Sequence, residues 1–150
     1  MKSFLRSAVL SSTLLFISFV SLAQIPKNSI NTYVGIFEIN FNYERNVLQM
    51  ERGLGHLRLG VGQARFVQAG EGKYINMSYV HVVGKKESHL EADIGFKYML
   101  TNSIDDPKFS EEFIPDLFIG YRFQNQPRGI ILRAGINYPT IINLGIGLAF

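Results

Sequence analysis

Apolar and polar side chains alternate with a period of two along most of the chain. The clearest stretch is "HLEADIGFKYML", residues 89–100, in which every second side chain is apolar and those between are charged or small, apart from Met99. The alternation recurs in "YVGIFEINFNYE", "HLRLGVG", "PDLFIGYRFQ", "GIILRAGINY" and "LGIGLAF", and more weakly in "KYINMSYVHVV". Period-two alternation bounded by Gly, Pro, Asn or Asp predicts β-strands.

The length of these strands favours a fold that crosses a membrane. Strands of about ten residues match the ~9–11 that cross a bilayer, whereas strands in soluble sheets usually have about five or six. A soluble sandwich or lipocalin-like barrel, with its apolar face inward, is the alternative. We predict an all-β, antiparallel, up-and-down transmembrane β-barrel. Seven strands are clear, and because such barrels have an even number, an eighth is expected near residues 25–32.

Aromatic residues sort by height when the strands are traced backward from Phe150. On the predicted lipid-facing surface, one rim has Tyr43, Tyr121, Phe123 and Phe150, and the other has Tyr33, Tyr98 and Tyr138. Two aromatic girdles are expected of a membrane barrel, and a soluble barrel gives no reason for this sorting.

The last predicted strand has a second role in this interpretation. Its outward side chains are Leu144, Ile146, Leu148 and Phe150. We expect these residues to be the signal that the barrel-assembly machinery recognises.

The first 23 residues have the three-part pattern of a secretory signal peptide. Lys2 and Arg6 form a basic start, an apolar stretch follows, and "SLA" supplies small residues before the expected cleavage site. A membrane anchor is the alternative, but the apolar run is short for the ~20 residues that cross a bilayer. The predicted domains are a cleaved signal peptide, residues 1–23, and an outer-membrane β-barrel, residues 24–150.

Composition narrows the choice of partners. The sequence has no cysteine, which excludes a disulfide framework. The formal net charge is +3, and it falls to +1 without Lys2 and Arg6, so we expect no nucleic acid partner.

The face predicted to point inward has equal numbers of opposite charges. The carboxylates are Glu38, Glu44, Glu91 and Asp93, and the cations are Arg58, Lys97, Arg122 and Arg133. Because an unpaired charge in a confined interior is costly, we expect a network of ion pairs. An eight-stranded barrel is just wide enough for side chains to fill, which predicts a plugged interior. A narrow path for small solutes is the alternative.

Catalytic and metal chemistry have weak support in the sequence. Ser88, His89 and Glu91 are close in sequence, but Ser88 and His89 face opposite ways, so no catalytic residue is predicted. His56 and His81 lack metal-ligand spacing, and no metal or cofactor is predicted. The stretch "SIDDPKFSEEF" is expected in an outer loop, where it either binds a cation or basic partner or is simply solvated.

Several stretches resemble the small outer-membrane β-barrel proteins of Bacteroidetes-type bacteria. They are "FNYERNV", "LEADIGFKYM", "GYRFQNQPRGIILRAGINYP" and "GIGLAF", and the leader ending in "SLAQ" is similar as well. The resemblance implies an OmpA-like or porin-like barrel without catalytic residues. We therefore predict a monomeric outer-membrane protein, in contact with outer-membrane lipids, with a structural or surface-interaction role. A small-solute channel is the first alternative, followed by a lipid-modifying enzyme and a soluble periplasmic binding barrel.

Overall fold

The structure, a computed structural model, describes residues 27–66, 70–85, 87–100, 113–125 and 128–150. Eight strands form a closed antiparallel barrel in which neighbours follow chain order and β8 pairs with β1. The strands are β1 (Asn28–Gly35), β2 (Glu38–Met50), β3 (Gly53–Phe66), β4 (Gly70–Lys85), β5 (Ser88–Met99), β6 (Phe113–Gln124), β7 (Gly129–Tyr138) and β8 (Ile141–Ala149). The predicted all-β, up-and-down, eight-stranded barrel is confirmed. Helices long and apolar enough to cross a membrane do not occur in the described residues.

The eighth strand exists, but it starts and ends three residues later than expected. β1 covers Asn28–Gly35, and the turn at Ile36 and Phe37 separates it from β2. The prediction counted Tyr33 and Phe37 in one alternating run and so placed both side chains outside. Because the turn restarts the alternation, Tyr33 points inward and is only 3% exposed. Its assignment to an aromatic girdle was therefore wrong.

The two ends of the barrel differ in the chain termini and strand connections that lie there. At the terminal end, the Asn28 amide donates to the Phe150 carbonyl at 3.4 Å, and the Phe150 amide donates to the Asn28 carbonyl at 2.9 Å. The alternating strand directions place the β2–β3, β4–β5 and β6–β7 connections at this end too. The other end, called the loop end, has the remaining connections. Residues 101–112, which include most of the predicted acidic loop, connect β5 to β6 there and lie outside the described residues.

The β2–β3 hairpin extends past the start of β1 at the terminal end. β2 continues to Met50, and the turn takes only Glu51 and Arg52. A bulge between Asn46 and Leu48 interrupts the register there. A bulge adds one residue to one strand, which shifts the alternation and increases the local twist.

Apolar side chains cover the outside of the barrel, and polar ones fill the inside. Leu90, Ile119 and Ile136 are 65%, 66% and 63% exposed, while their inward neighbours Glu91 and Asn137 are buried. A soluble barrel has the opposite distribution. Membrane barrels have an outward apolar band and a polar interior, which is the pattern found here.

Glycines on the inward face make room for large interior side chains. Gly120 on β6 pairs directly with Gly135 on β7. A Cβ atom built on either residue would lie 2.5 or 2.6 Å from Cζ of Phe118. The tip of the Phe118 ring therefore lies against the backbone of both glycines, at a place where any larger residue would displace it.

Candidate functional site

The interior charges fall into two groups at different heights. The larger one, the terminal-side cluster, consists of Glu44, Arg58, Glu91, Asp93, Arg122 and Arg133. The smaller one, the loop-side cluster, consists of Glu38, Lys97 and Asp116. Strand alternation explains the inward direction of every member, because each lies on the same parity as its buried neighbours in the strand.

Glu44 lies at the centre of the terminal-side cluster and its side chain is fully buried. Its carboxylate oxygens lie 2.7 Å from Arg58 Nη2, 2.6 Å from Arg133 Nη2 and 3.3 Å from Arg122 Nη1. Asn31 on the neighbouring strand also donates to Oε1, at 3.0 Å. Several charge-assisted hydrogen bonds to one carboxylate compensate for its removal from water.

Glu91 is the second centre and contacts the same arginines from the opposite wall. Arg58 Nη2 lies 2.6 Å from its Oε1, and Arg133 Nε lies 2.9 Å from its Oε2. Arg122 Nη1 is more distant, at 3.6 Å. Arg58 also pairs with Asp93. The terminal-side cluster therefore has three carboxylates and three guanidinium groups, and it crosses the interior as a neutral network.

Arg122 and Arg133 occupy directly opposite positions on β6 and β7. Like charges in such a pair destabilise a sheet unless something separates them. Here Glu44 and Glu91 each contact both guanidinium groups, and Arg122 also donates from Nη2 to Gln124 at 2.9 Å. The two carboxylates thus offset the repulsion between the two guanidinium groups.

Tyr33 fills the middle of the interior between the arginines. The guanidinium carbons of Arg58 and Arg133 lie 5.0 and 5.5 Å from its ring centroid, within cation–π distance. Phe118 packs edge-to-face against the ring at 6.0 Å and 67°. The hydroxyl group donates to Glu91 Oε1 at 3.1 Å. This one side chain links the cluster to the glycine-lined wall where Phe118 packs.

The loop-side cluster has more negative than positive charge. Lys97 Nζ lies 2.6 Å from Glu38 Oε2 and 3.1 Å from Asp116 Oδ1, and its side chain is 1% exposed. Tyr74 and Asn143 donate to Glu38 at 3.1 and 2.7 Å. These neutral donors spread the excess charge over several hydrogen bonds.

Asp116 was missing from the predicted charge network. It lies on the inward parity of β6, in line with Phe118 and Arg122, so the alternation itself contains the signal. In the structure, Asn137 donates to Asp116 Oδ1 at 2.9 Å, and Thr140 donates to Asn137 at 2.8 Å. Asp116 is thereby joined to the β7–β8 turn as well as to Lys97.

The eight predicted lumen charges all point inward, six in the terminal-side cluster and two in the loop-side cluster. Of the predicted girdle residues, those on the outside near the terminal end are Tyr43, Tyr121, Phe123 and Phe150. Tyr98 and Tyr138 are outside near the loop end, and Tyr33 alone is inside. Leu144, Ile146 and Leu148 are exposed on the outer face of β8.

The weighed catalytic residues do not come together. Ser88 is exposed on the outer surface, while Glu91 is held inside by Arg58 and Arg133. His89, between them in sequence, is on the inward face. Within the described ranges, no three His, Cys, Asp or Glu side chains are arranged to hold a metal ion.

The fold and its interior define a class: closed eight-stranded up-and-down barrels with an apolar exterior and a charged, side-chain-filled lumen. A solved structure is similar to this chain, the N-terminal β-barrel domain of Pseudomonas aeruginosa OprF. The TM-score is 0.59 at 11% sequence identity, over 85% of this chain and 100% of that domain. The likeness shows a shared fold. No family model matches the sequence, and no curated protein matches it either.

Proposed function

We propose that this chain is an OmpA-like outer-membrane barrel, of the Bacteroidetes type that its sequence resembles, with a structural or surface-interaction role and a closed interior. The exposed apolar band supports the membrane location. Side chains such as Val61, Ile94 and Leu144 are more than half exposed and would be costly in water as a continuous surface. In hydrocarbon the same apolar surface carries no such cost, and the closed barrel leaves no unpaired strand edge in lipid.

The observation that carries the closed interior is the position of Tyr33. Its ring lies between two guanidinium groups that are themselves bound to Glu44 and Glu91. A solute crossing the lumen would have to displace this ring and break ion pairs that are almost wholly buried. The arrangement supports a scaffold whose contacts with other molecules are made by its surfaces.

The export and assembly steps complete the proposal. Residues 1–23 act as a cleaved signal peptide, and the assembly machinery recognises the outward side chains of β8 together with Phe150. The protein then functions as a monomer surrounded by outer-membrane lipid, without catalysis. The likeness to the OprF domain supports the barrel fold on which this proposal depends.

Planar-bilayer recording tests the closed interior. The refolded wild-type chain is expected to give no discrete conductance steps. Tyr33→Ala combined with Phe118→Ala removes the rings that fill the middle and is expected to give steps, which shows that the protein inserts under these conditions. Tyr43→Ala, on the outer surface, is the matched control and should stay silent. Discrete steps from the wild type would overturn the closed interior.

A narrow channel is the second candidate, favoured by polar atoms along β4 and β5. Among the described residues, buried Asn76 Oδ1, Ser78 Oγ and Asp93 Oδ1 have no protein hydrogen-bond partner. Buried polar atoms of this kind are commonly satisfied by internal water. A chain of such waters past Tyr33 would give small cation or proton currents in the same recordings, and Asn76→Leu combined with Ser78→Ala would abolish them.

A further inference from the structure

A shallow groove of about 500 Å³ crosses the outer surface near the loop end. Its lower wall is formed by Phe41 and Val61, and its upper wall by Ile39, Gln63 and Lys73. This volume is within the range of about 300–1,000 Å³ that small-molecule sites occupy. The groove combines a concave apolar shape with a cation.

The register of the strands explains why the groove exists. Asn40, Gly62 and Tyr74 are consecutive partners across β2, β3 and β4. Asn40 and Tyr74 point their side chains inward, and Gly62 has none, so the outer surface at this row is bare backbone. Outward residues of the rows above and below project past this backbone and form the walls. Thr32 on β1 and Leu100 after β5 close the two ends.

Lys73 places a positive charge in only one of the two walls that line the groove. It is exposed in the upper wall, beside the loop end, and Arg65 is another exposed cation of the same hairpin. A lysine near the membrane boundary can keep its charged end at headgroup level while its alkyl stem lies along apolar surface. The groove therefore offers apolar surface along its length and a positive charge on the side of the aqueous boundary.

We propose that this groove binds one acyl chain of a phosphorylated glycolipid of the lipid A type, with Lys73 contacting the phosphate. The inference rests on the proposed outer-membrane location. Because bacterial barrels keep their termini on the periplasmic side, the loop end faces outward, and the groove lies at the outer leaflet. An anionic headgroup above an acyl chain complements the charge and shape of the site. An uncharged lipid would offer Lys73 no anionic group.

Native mass spectrometry of the refolded barrel in detergent, titrated with lipid A, tests the proposal. The wild type should retain one lipid A per barrel. Lys73→Ala should weaken the apparent Kd about fivefold, the effect expected of one basic residue at an anionic surface. Arg45→Ala, which removes an exposed cation at the terminal end, should have no effect.

A second pair of variants tests the groove itself. Val61→Trp would fill it and should abolish retention, whereas Ile146→Trp adds the same ring on β8, at a position with similar exposure, 59% against 56%. Thr32→Trp repeats the test at the β1 end of the groove, should Val61→Trp fail to fold. Equal retention of lipid A by all variants would overturn the proposal, since the lipid would then belong to the general annulus.

Two further outcomes would also overturn it. Phosphatidylglycerol retained as tightly as lipid A would contradict the glycolipid assignment, and a dimer lost in Val61→Trp would identify a second copy as the occupant. Heat-modifiable gel migration of the same samples checks the membrane barrel separately. A barrel that folds in detergent without binding lipid A contradicts this inference alone, whereas a chain that stays monomeric and folded without detergent contradicts the proposed function.

Discussion

At the residue scale, Tyr33 fills the lumen with its ring and adds a polar contact with its hydroxyl group. Its ring packs between Arg58 and Arg133, and its hydroxyl group reaches Glu91. Tyr33→Phe should lower the free energy of unfolding by about 1.5–3 kcal/mol, because it removes one hydrogen bond to a charged carboxylate and keeps the ring. Tyr33→Ala should cost about 3–5 kcal/mol, the usual loss for a large buried ring. Urea titration in lipid vesicles measures both changes in the free energy of unfolding, and heat-modifiable migration on a gel gives the folded fraction at each urea concentration.

The matched control is Tyr43→Ala, on the outer surface of β2. Tyr43 is 38% exposed and donates to Asn28 at 2.6 Å, so its loss should cost clearly less than that of Tyr33. A greater loss for Tyr43 than for Tyr33 would mean that the interior and exterior of β1 and β2 are assigned the wrong way round.

Lys97 is the cation of the loop-side cluster, and its removal leaves two buried carboxylates without a counter-charge. Lys97→Met would leave Glu38 and Asp116 buried without their counter-charge, and unfolding should become easier by about 3–5 kcal/mol. Adding Glu38→Gln and Asp116→Asn should recover most of this loss, because the stranded charges are then removed. Vesicle-based urea titration again gives the comparison, with Arg45→Met as the exposed control. A triple variant as unstable as the single one would argue against ion pairing as the cause.

The period of two determines the face of these residues, and register determines their partners. Alternation alone puts Arg122 and Arg133 inside, because each is flanked by outward apolar residues. That they lie directly opposite each other depends on the β6–β7 register, which follows from turn lengths rather than from pattern. Tyr33 was predicted to face outward because the alternation was continued through the two-residue turn at Ile36 and Phe37, where it restarts.

At the element scale, β5 carries the clearest division between its two faces. Ile94, near the middle of the strand, is 63% exposed and points away from the lumen. Ile94→Arg should destabilise the barrel by about 2–4 kcal/mol if hydrocarbon surrounds it, whereas a charge near the interface costs about 0–1 kcal/mol. Ser88→Arg, at the start of the same strand, should therefore be tolerated. Vesicle-based unfolding of both variants provides the measurement, and equal tolerance would contradict a membrane-spanning β5.

Element boundaries were harder to predict than element faces. The interior of β5, β6 and β7 follows directly from uninterrupted alternation, and the structure has these strands where the pattern predicts them. β1 and the tall β2–β3 hairpin departed from the pattern at a tight turn and a bulge, which add or remove one residue from the alternation. Hydrophobic periodicity carries little information about either feature.

At the scale of the whole molecule, closure depends on the seam between β1 and β8. Ser29 pairs with Ala149, and the pairing continues to Gly35 and Asn143. The other seams join strands that are adjacent in sequence, so their contacts are local. Contacts between distant parts of a chain slow folding because a long loop must be ordered first. The β1–β8 seam is thus expected to form last and to limit the rate of barrel formation.

The proximity of Asn28 and Phe150 makes the starting point of the barrel arbitrary. A short linker can join Phe150 to the beginning of β1, with new chain ends opened between β6 and β7, at the terminal end. Such a circular permutant keeps every strand pair and turns the β1–β8 seam into a local hairpin, but it makes β6–β7 the new non-local seam, so its refolding rate in vitro should stay close to that of the natural order. Time-resolved heat-modifiable migration of the two proteins compares their rates, and a large difference between them would contradict the closing of one non-local seam as the limiting step. In cells the same permutant would move Phe150 away from the chain end. Efficient refolding combined with poor insertion would therefore separate the contribution of Phe150 to stability from its proposed role as an assembly signal.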